Sequence, residues 1–135
     1  MMDLVGAATT MLLINAAWDL VASFAMMVFF SCGYLENIAS MHLRFWVDAE
    51  DQRSGPATLL MAFLVLQWSW VRLTASVAFH DRWGDAAFTY WLEGTLVGIC
   101  TLLGKMHTGR GAFVVFMCFF CWEAVVVAGY DSRNL

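Results

Sequence analysis

Four ionisable residues stand inside long apolar runs: Asp19, Arg72, Glu93 and Glu123. A charge in hydrocarbon costs several kcal/mol unless it faces a protein interior and meets a partner. Such residues either glue membrane helices together or line a route for protons, ions or substrate. Here three carboxylates share one arginine. Burial and like charge both favour the protonated acid, so at least one of Asp19, Glu93 and Glu123 is expected to hold a proton at neutral pH. Asn15 lies one helical turn from Asp19 and Thr89 one turn from Glu93, so both can extend the polar layer. Two chemistries suit this layer: a proton or ion relay, and a salt-bridged clamp that fixes helix packing. No chain of acids continues toward the opposite face, which favours the clamp.

Other residue sets offer different chemistry. Cys118-Phe119-Phe120-Cys121 is a Cys-x-x-Cys, the spacing of a redox thiol pair. Four-helix membrane thiol oxidoreductases carry such a pair together with a second one at a membrane surface. Here Cys32 and Cys100 each stand alone, so the thiols read first as small apolar filler. No His lies in the fourth apolar run, which leaves zinc without converging ligands. His42, His80 and His107 lie near the ends of the apolar runs, where each has the chemistry to ligate a pigment or a haem; the alternative is an interfacial side chain. The seven Trp and 11 Phe make flat surfaces for lipid, sterol, quinone or pigment. Gly94-Thr95-Leu96-Val97-Gly98 is a Gly-x-x-x-Gly, which lets helix backbones approach closely. There is no phosphate-binding loop, dinucleotide fingerprint or serine nucleophile beside a base.

The elements that must position these residues are membrane helices. The 135 residues are 61% hydrophobic and 13% charged, against about a quarter charged in soluble domains. A net charge of −4 with only seven Lys plus Arg excludes the basic footprint of a nucleic-acid binder. No Lys or Arg precedes Arg44, so no cleaved leader is expected and the first helix is expected to remain in the mature protein. Four spans are predicted, at about residues 11–34, 57–79, 86–104 and 111–130, each near the ~20 residues that cross a bilayer core. Residues 4–10 could extend the first. Ser54-Gly55-Pro56 opens the second, with proline in the first turn of a helix. His80 to Asp85 and Lys105 to Arg110 are read as short turns. Between the first two spans, Ile38, Met41, Phe45 and Trp46 recur at amphipathic spacing, which predicts a short interfacial helix. Asp48, Glu50 and Asp51 follow it as an acidic patch. The link faces holding Leu35–Gly55 and Lys105–Arg110 carry four Lys or Arg against two on the other face, which turns the first face toward the cytosol or its equivalent.

Counting along the helices sets the depth of the polar layer. Arg72 stands seven residues before Phe79, Glu93 seven after Ala86, Glu123 seven before Tyr130 and Asp19 eight after Met11. At 1.5 Å per residue all four lie roughly 10 Å inside the same face. An antiparallel bundle then predicts an Arg72–Glu93 ion pair joined by Asp19 or Glu123, with both termini on one face.

Trp68, Trp70, Arg72, Leu73, Ala75 and His80, followed by Phe88-Thr89-Tyr90, resemble the small four-helix membrane scaffold of ergosterol and sterol biosynthesis. Helix number, chain length and the long first link agree with it. The sequence departs from that family at Val97-Gly98-Ile99-Cys100, where the family tends to carry His-Phe followed by Glu, and its tail lacks a dibasic retrieval signal. The resemblance implies a non-enzymatic tether that holds other membrane proteins together.

The expectations are then an all-α, integral membrane four-helix bundle in one domain, with a short interfacial helix between the first two spans, in an organelle or endomembrane. The expected function is a non-catalytic scaffold or accessory subunit of a sterol-synthetic, respiratory or photosynthetic assembly. Its expected partners are the lipid bilayer and other membrane proteins, with no nucleic acid. No cofactor is required; bound lipid, sterol or pigment is compatible with the surfaces. Trp46, Asp48, Glu50 and Asp51 are the expected partner contacts. The alternatives are a small oligomeric transporter or proton conductor that uses the acidic layer, and a membrane thiol oxidoreductase.

Overall fold

The computed structural model describes residues 3–32 and 56–134. They form four helices: α1 (Leu4–Cys32), α2 (Pro56–Val77), α3 (Phe79–Leu102) and α4 (Thr108–Arg133). There is no strand among the described residues. The predicted interfacial helix, with His42, Trp46, Asp48, Glu50 and Asp51, lies outside them.

Each helix begins and ends for a local reason. Asp3 starts α1: its Oδ1 accepts a hydrogen bond from the Val5 amide at 3.1 Å, which satisfies one of the free N–H groups of the first turn. The helix therefore takes up residues 4–10 as well. Pro56 is the first residue of α2, where its missing N–H is no loss. Gly104 ends α3 at φ 71°, a left-handed conformation that glycine adopts without penalty. There the Gly104 amide bonds Thr101 O and the Lys105 amide bonds Cys100 O, the paired closure of a Schellman end.

One boundary differs from the sequence expectation. His80 to Asp85 is not a turn. The break falls at Ala78 alone (φ −123°, ψ 54°), and α3 already begins at Phe79. Asp81 stands in the first turn, where its charge complements the helix dipole. Gly84, which punctuates the sequence here, is carried inside the helix.

The helices run alternately up and down. The start of α1 (Ala8, Leu12), the end of α2 (Ala75), the start of α3 (Phe79, Ala86, Ala87) and the end of α4 (Val125, Ala128) share one apolar cluster. The N- and C-terminal ends of the chain's described part thus lie at the same end of the bundle. At the other end Met26 of α1 packs with Ala62, Val65 and Trp68 of α2. The α3–α4 seam is closed by small residues. A Cβ on Gly94 would stand 3.1 Å from Cys118 Cβ, and one on Gly98 would stand 3.7 Å from Val115. The Gly-x-x-x-Gly is therefore spent inside the chain, against α4.

Leu4–Val28, Leu59–Val77 and Thr108–Arg133 are long and apolar enough to cross a membrane. Large apolar side chains cover their outer faces, among them Ile14, Phe24, Leu60, Phe63, Phe116 and Phe120. The chain is a multi-pass membrane protein. The third predicted span is the exception in composition: α3 carries His80, Asp81, Arg82, Asp85 and Glu93 and is not among the three.

Candidate functional site: a buried arginine between two carboxylates

The largest wholly buried side chain among the described residues is Arg72, 2% exposed. Every nitrogen of its guanidinium has a partner. Nη1 donates to Asp19 Oδ2 of α1 at 2.7 Å, Nη2 donates to Glu93 Oε2 of α3, and Nε donates to Thr89 Oγ1 at 3.1 Å. Thr89 passes its own hydroxyl proton to Ala86 O at 2.7 Å. The flat guanidinium lies over the Tyr90 ring, 4.0 Å from its centre, and 5.9 Å from the Trp68 ring. This is the geometry that a planar, always-charged fork favours: hydrogen bonds at its edge and an aromatic face below. One turn earlier on α2, Ser69 donates to Ala16 O of α1 at 2.7 Å, a second polar stitch between the same two helices.

The predicted ion pair is present, and Asp19 is the acid that joins it. The counting that led to it is corrected. With the helix break at Ala78, Arg72 lies six residues before it and Glu93 fifteen after it. The difference is roughly 13 Å of rise, more than one arginine side chain reaches. Equal counts from the break therefore do not set the depth of the pair; on α3 Arg72 meets both Thr89 and Glu93.

Glu123 is the second correction. It is exposed and makes no ion pair with Arg72. The buried face of α4 is Gly111, Cys118, Cys121, Val125, Ala128, Gly129 and Ser132. At about 100° per residue, Glu123 points to the side opposite that face. It lies among the exposed Phe116, Phe119, Phe120, Val127 and Tyr130. Asn15 is half-buried; its amide bonds Met11 O of its own helix at 3.1 Å, and it borders the same cavity as Asp19 and Glu93. It is beside the charged layer rather than bonded into it.

That cavity holds about 410 Å³ and lies between the α1–α2 and α3–α4 pairs. Arg72 itself is sealed, while the side chains of Asp19 and Glu93 are 12% and 22% exposed and form the polar end of the space. Apart from Asn15, the rest of its described lining is apolar, with Trp18, Trp68 and Phe113 among its walls. The sequence does not announce this opening, because its lining is drawn from all four helices.

The remaining candidates do not converge. Cys118 is buried against Gly94 and Cys121 sits in the apolar cluster beside Tyr90; both thiols are free, as is that of Cys100. His80 and His107 are exposed and stand at opposite ends of α3, so they cannot share a ligand. Among the described residues no three His, Cys, Asp or Glu side chains gather to hold a metal ion. A feature absent from the sequence expectations is the Tyr90 hydroxyl, which is buried beside Cys121 and has no oxygen or nitrogen partner among the described residues. Comparison with protein-family models, curated proteins and solved structures gives no match to this chain.

Proposed function

We propose that the chain is a non-catalytic multi-pass subunit that holds other membrane proteins in an assembly. Glu123 carries this reading. It lies near the middle of α4, exposed, on a face otherwise built of Phe116, Phe119, Phe120 and Val127. Facing lipid, a charged carboxylate costs several kcal/mol. A helix of another subunit removes that cost by covering it with a basic or hydrogen-bonding group. A second copy of this chain offers no described cation at that depth. Arg72 alone lies more than a turn inside a described helix, and it is buried and fully engaged. The resemblance of residues 68–90 to the sterol-biosynthesis scaffold makes a sterol-synthetic assembly the first candidate.

The inward charges support the same reading. Arg72 spends its donors on Asp19, Glu93 and Thr89, which is what a clamp requires. The second reading, a small transporter or proton conductor, draws on the opening beside Asp19 and Glu93.

Purification from native membranes in mild detergent tests the proposal. A stable, stoichiometric protein partner should accompany the chain and be lost in Glu123→Leu, while the isolated variant keeps its helicity and thermal midpoint. Recovery of the chain alone, or equal partner recovery with Glu123→Leu, would overturn it. Proton or solute flux in liposomes that vanishes in Glu93→Gln would put the transporter in its place.

A further inference from the structure

We infer that the cavity beside Asp19, Arg72 and Glu93 is a binding site for a lipophilic monocation, a positive charge carried on an apolar, aromatic-sized body. The inference does not rest on the scaffold reading; a subunit that tethers others can hold such a ligand.

The charge balance comes first. Two carboxylates meet one guanidinium, and each gives it a single oxygen, Asp19 Oδ2 and Glu93 Oε2. Asp19 Oδ1 and Glu93 Oε1 receive no hydrogen bond from a described residue. With both acids ionised the triad carries one negative charge too many. The other described cations, Arg82, Lys105, Arg110 and Arg133, are exposed near the helix ends, and none forms an ion pair with Asp19 or Glu93. An uncompensated charge in a low-dielectric interior is strongly unfavourable. Since no described residue offsets it, the excess can be met by a proton or by a cation that enters the cavity.

The shape of the space selects the kind of cation. About 410 Å³ falls within the range of roughly 300–1,000 Å³ typical of small-molecule pockets. A bare metal ion would need several converging oxygen or nitrogen ligands, and no such group exists among the described residues. The walls instead come from Trp18, Trp68, Leu96 and Phe113, one from each helix. Apolar walls take up an apolar body, and indole faces attract a cation. The two carboxylates repel an anion of the same size. The cavity is also reachable: Asp19 and Glu93 keep 12% and 22% of their side-chain surface open, whereas the guanidinium behind them keeps 2%.

Tetraphenylphosphonium and tetraphenylborate, which share a shape and differ in the sign of their charge, provide the test. The full chain is purified in a neutral detergent in a Cys32→Ser background. Cys100 lines the cavity and is partly exposed, while Cys118 and Cys121 are buried, so maleimide alkylation of Cys100 reports occupancy. The phosphonium should quench tryptophan fluorescence saturably and protect Cys100; the borate should do neither. Glu93→Gln removes the surplus charge yet leaves Arg72 an acceptor, and should weaken phosphonium binding about tenfold or more. Should that variant fail to fold, the phosphonium–borate contrast at Cys100 in the parent protein decides alone. Equal protection by the two ions, no protection by the phosphonium, or unchanged affinity in a folded Glu93→Gln would overturn the proposal.

Discussion

The ring of Trp83 occupies the place where a side chain on Gly129 would stand: a Cβ there would lie 2.2 Å from the indole. Trp83 also meets the Arg133 guanidinium, 5.0 Å from its ring centre, and the Tyr130 ring at 5.5 Å, so its ring must shift for a side chain to fit. Gly129→Ala should therefore lower stability by about 1–3 kcal/mol through overpacking. Gly84 on α3 has open space around its Cβ position, so Gly84→Ala should raise stability by up to about 1 kcal/mol through helix propensity. Thermal unfolding in detergent, followed by helicity, reads both. Equal stability of Gly129→Ala and the parent would mean that α3 and α4 are not in contact at this end.

Removing Arg72 should be far worse than removing the whole triad. Arg72→Met leaves Asp19 and Glu93 in an apolar interior with no counter-charge, at a cost of roughly 3–5 kcal/mol. Adding Asp19→Asn and Glu93→Gln to it should recover most of that loss, since a buried ion pair and a neutral replacement of similar size are often close in stability. The same unfolding assay applied to the single and triple variants gives the difference. If the triple variant is no more stable than Arg72→Met, the damage lies in packing and not in charge.

Tyr90 separates ring from hydroxyl. Its hydroxyl is buried with no oxygen or nitrogen partner among the described residues, so Tyr90→Phe sheds a desolvated group and should leave stability unchanged or raise it by about 1 kcal/mol. Tyr90→Leu should lose both the stack under Arg72 and ring burial, a cost of about 2 kcal/mol or more. A clear loss in Tyr90→Phe would show that the hydroxyl has a partner in the folded protein.

The number of helices and the Asp19–Arg72–Glu93 triad were both legible in the sequence, for one reason. Charges inside apolar runs have few acceptable fates, and a lone arginine among acids has one. Three other features were less legible. Depth along a helix says nothing about rotation around it, so Glu123 could be placed level with Arg72 while pointing away from it. The spacing of the small residues Cys118, Cys121, Ala128, Gly129 and Ser132 marks the packed face, and Glu123 falls off it; that signal was available. Polarity alone does not mark the helix break: His80 to Asp85 is polar, yet the backbone breaks at Ala78 and continues as helix through that stretch. The cavity was not legible at all, since it depends on how far apart the two helix pairs settle.

The seat of Arg72 also bears on the order in which the chain enters its bilayer. Asp19 and Arg72 both leave the ribosome before Glu93. Asp19 and Arg72 can neutralise each other once α1 and α2 are made, and both helices are long and apolar enough to cross a membrane. Helix α3 is not, and it brings the surplus carboxylate. What it meets is a guanidinium paired with Asp19, with Nε and Nη2 still to be satisfied by Thr89 and Glu93. The bonds to Arg72 thus tie the one helix outside the apolar three to the rest of the bundle.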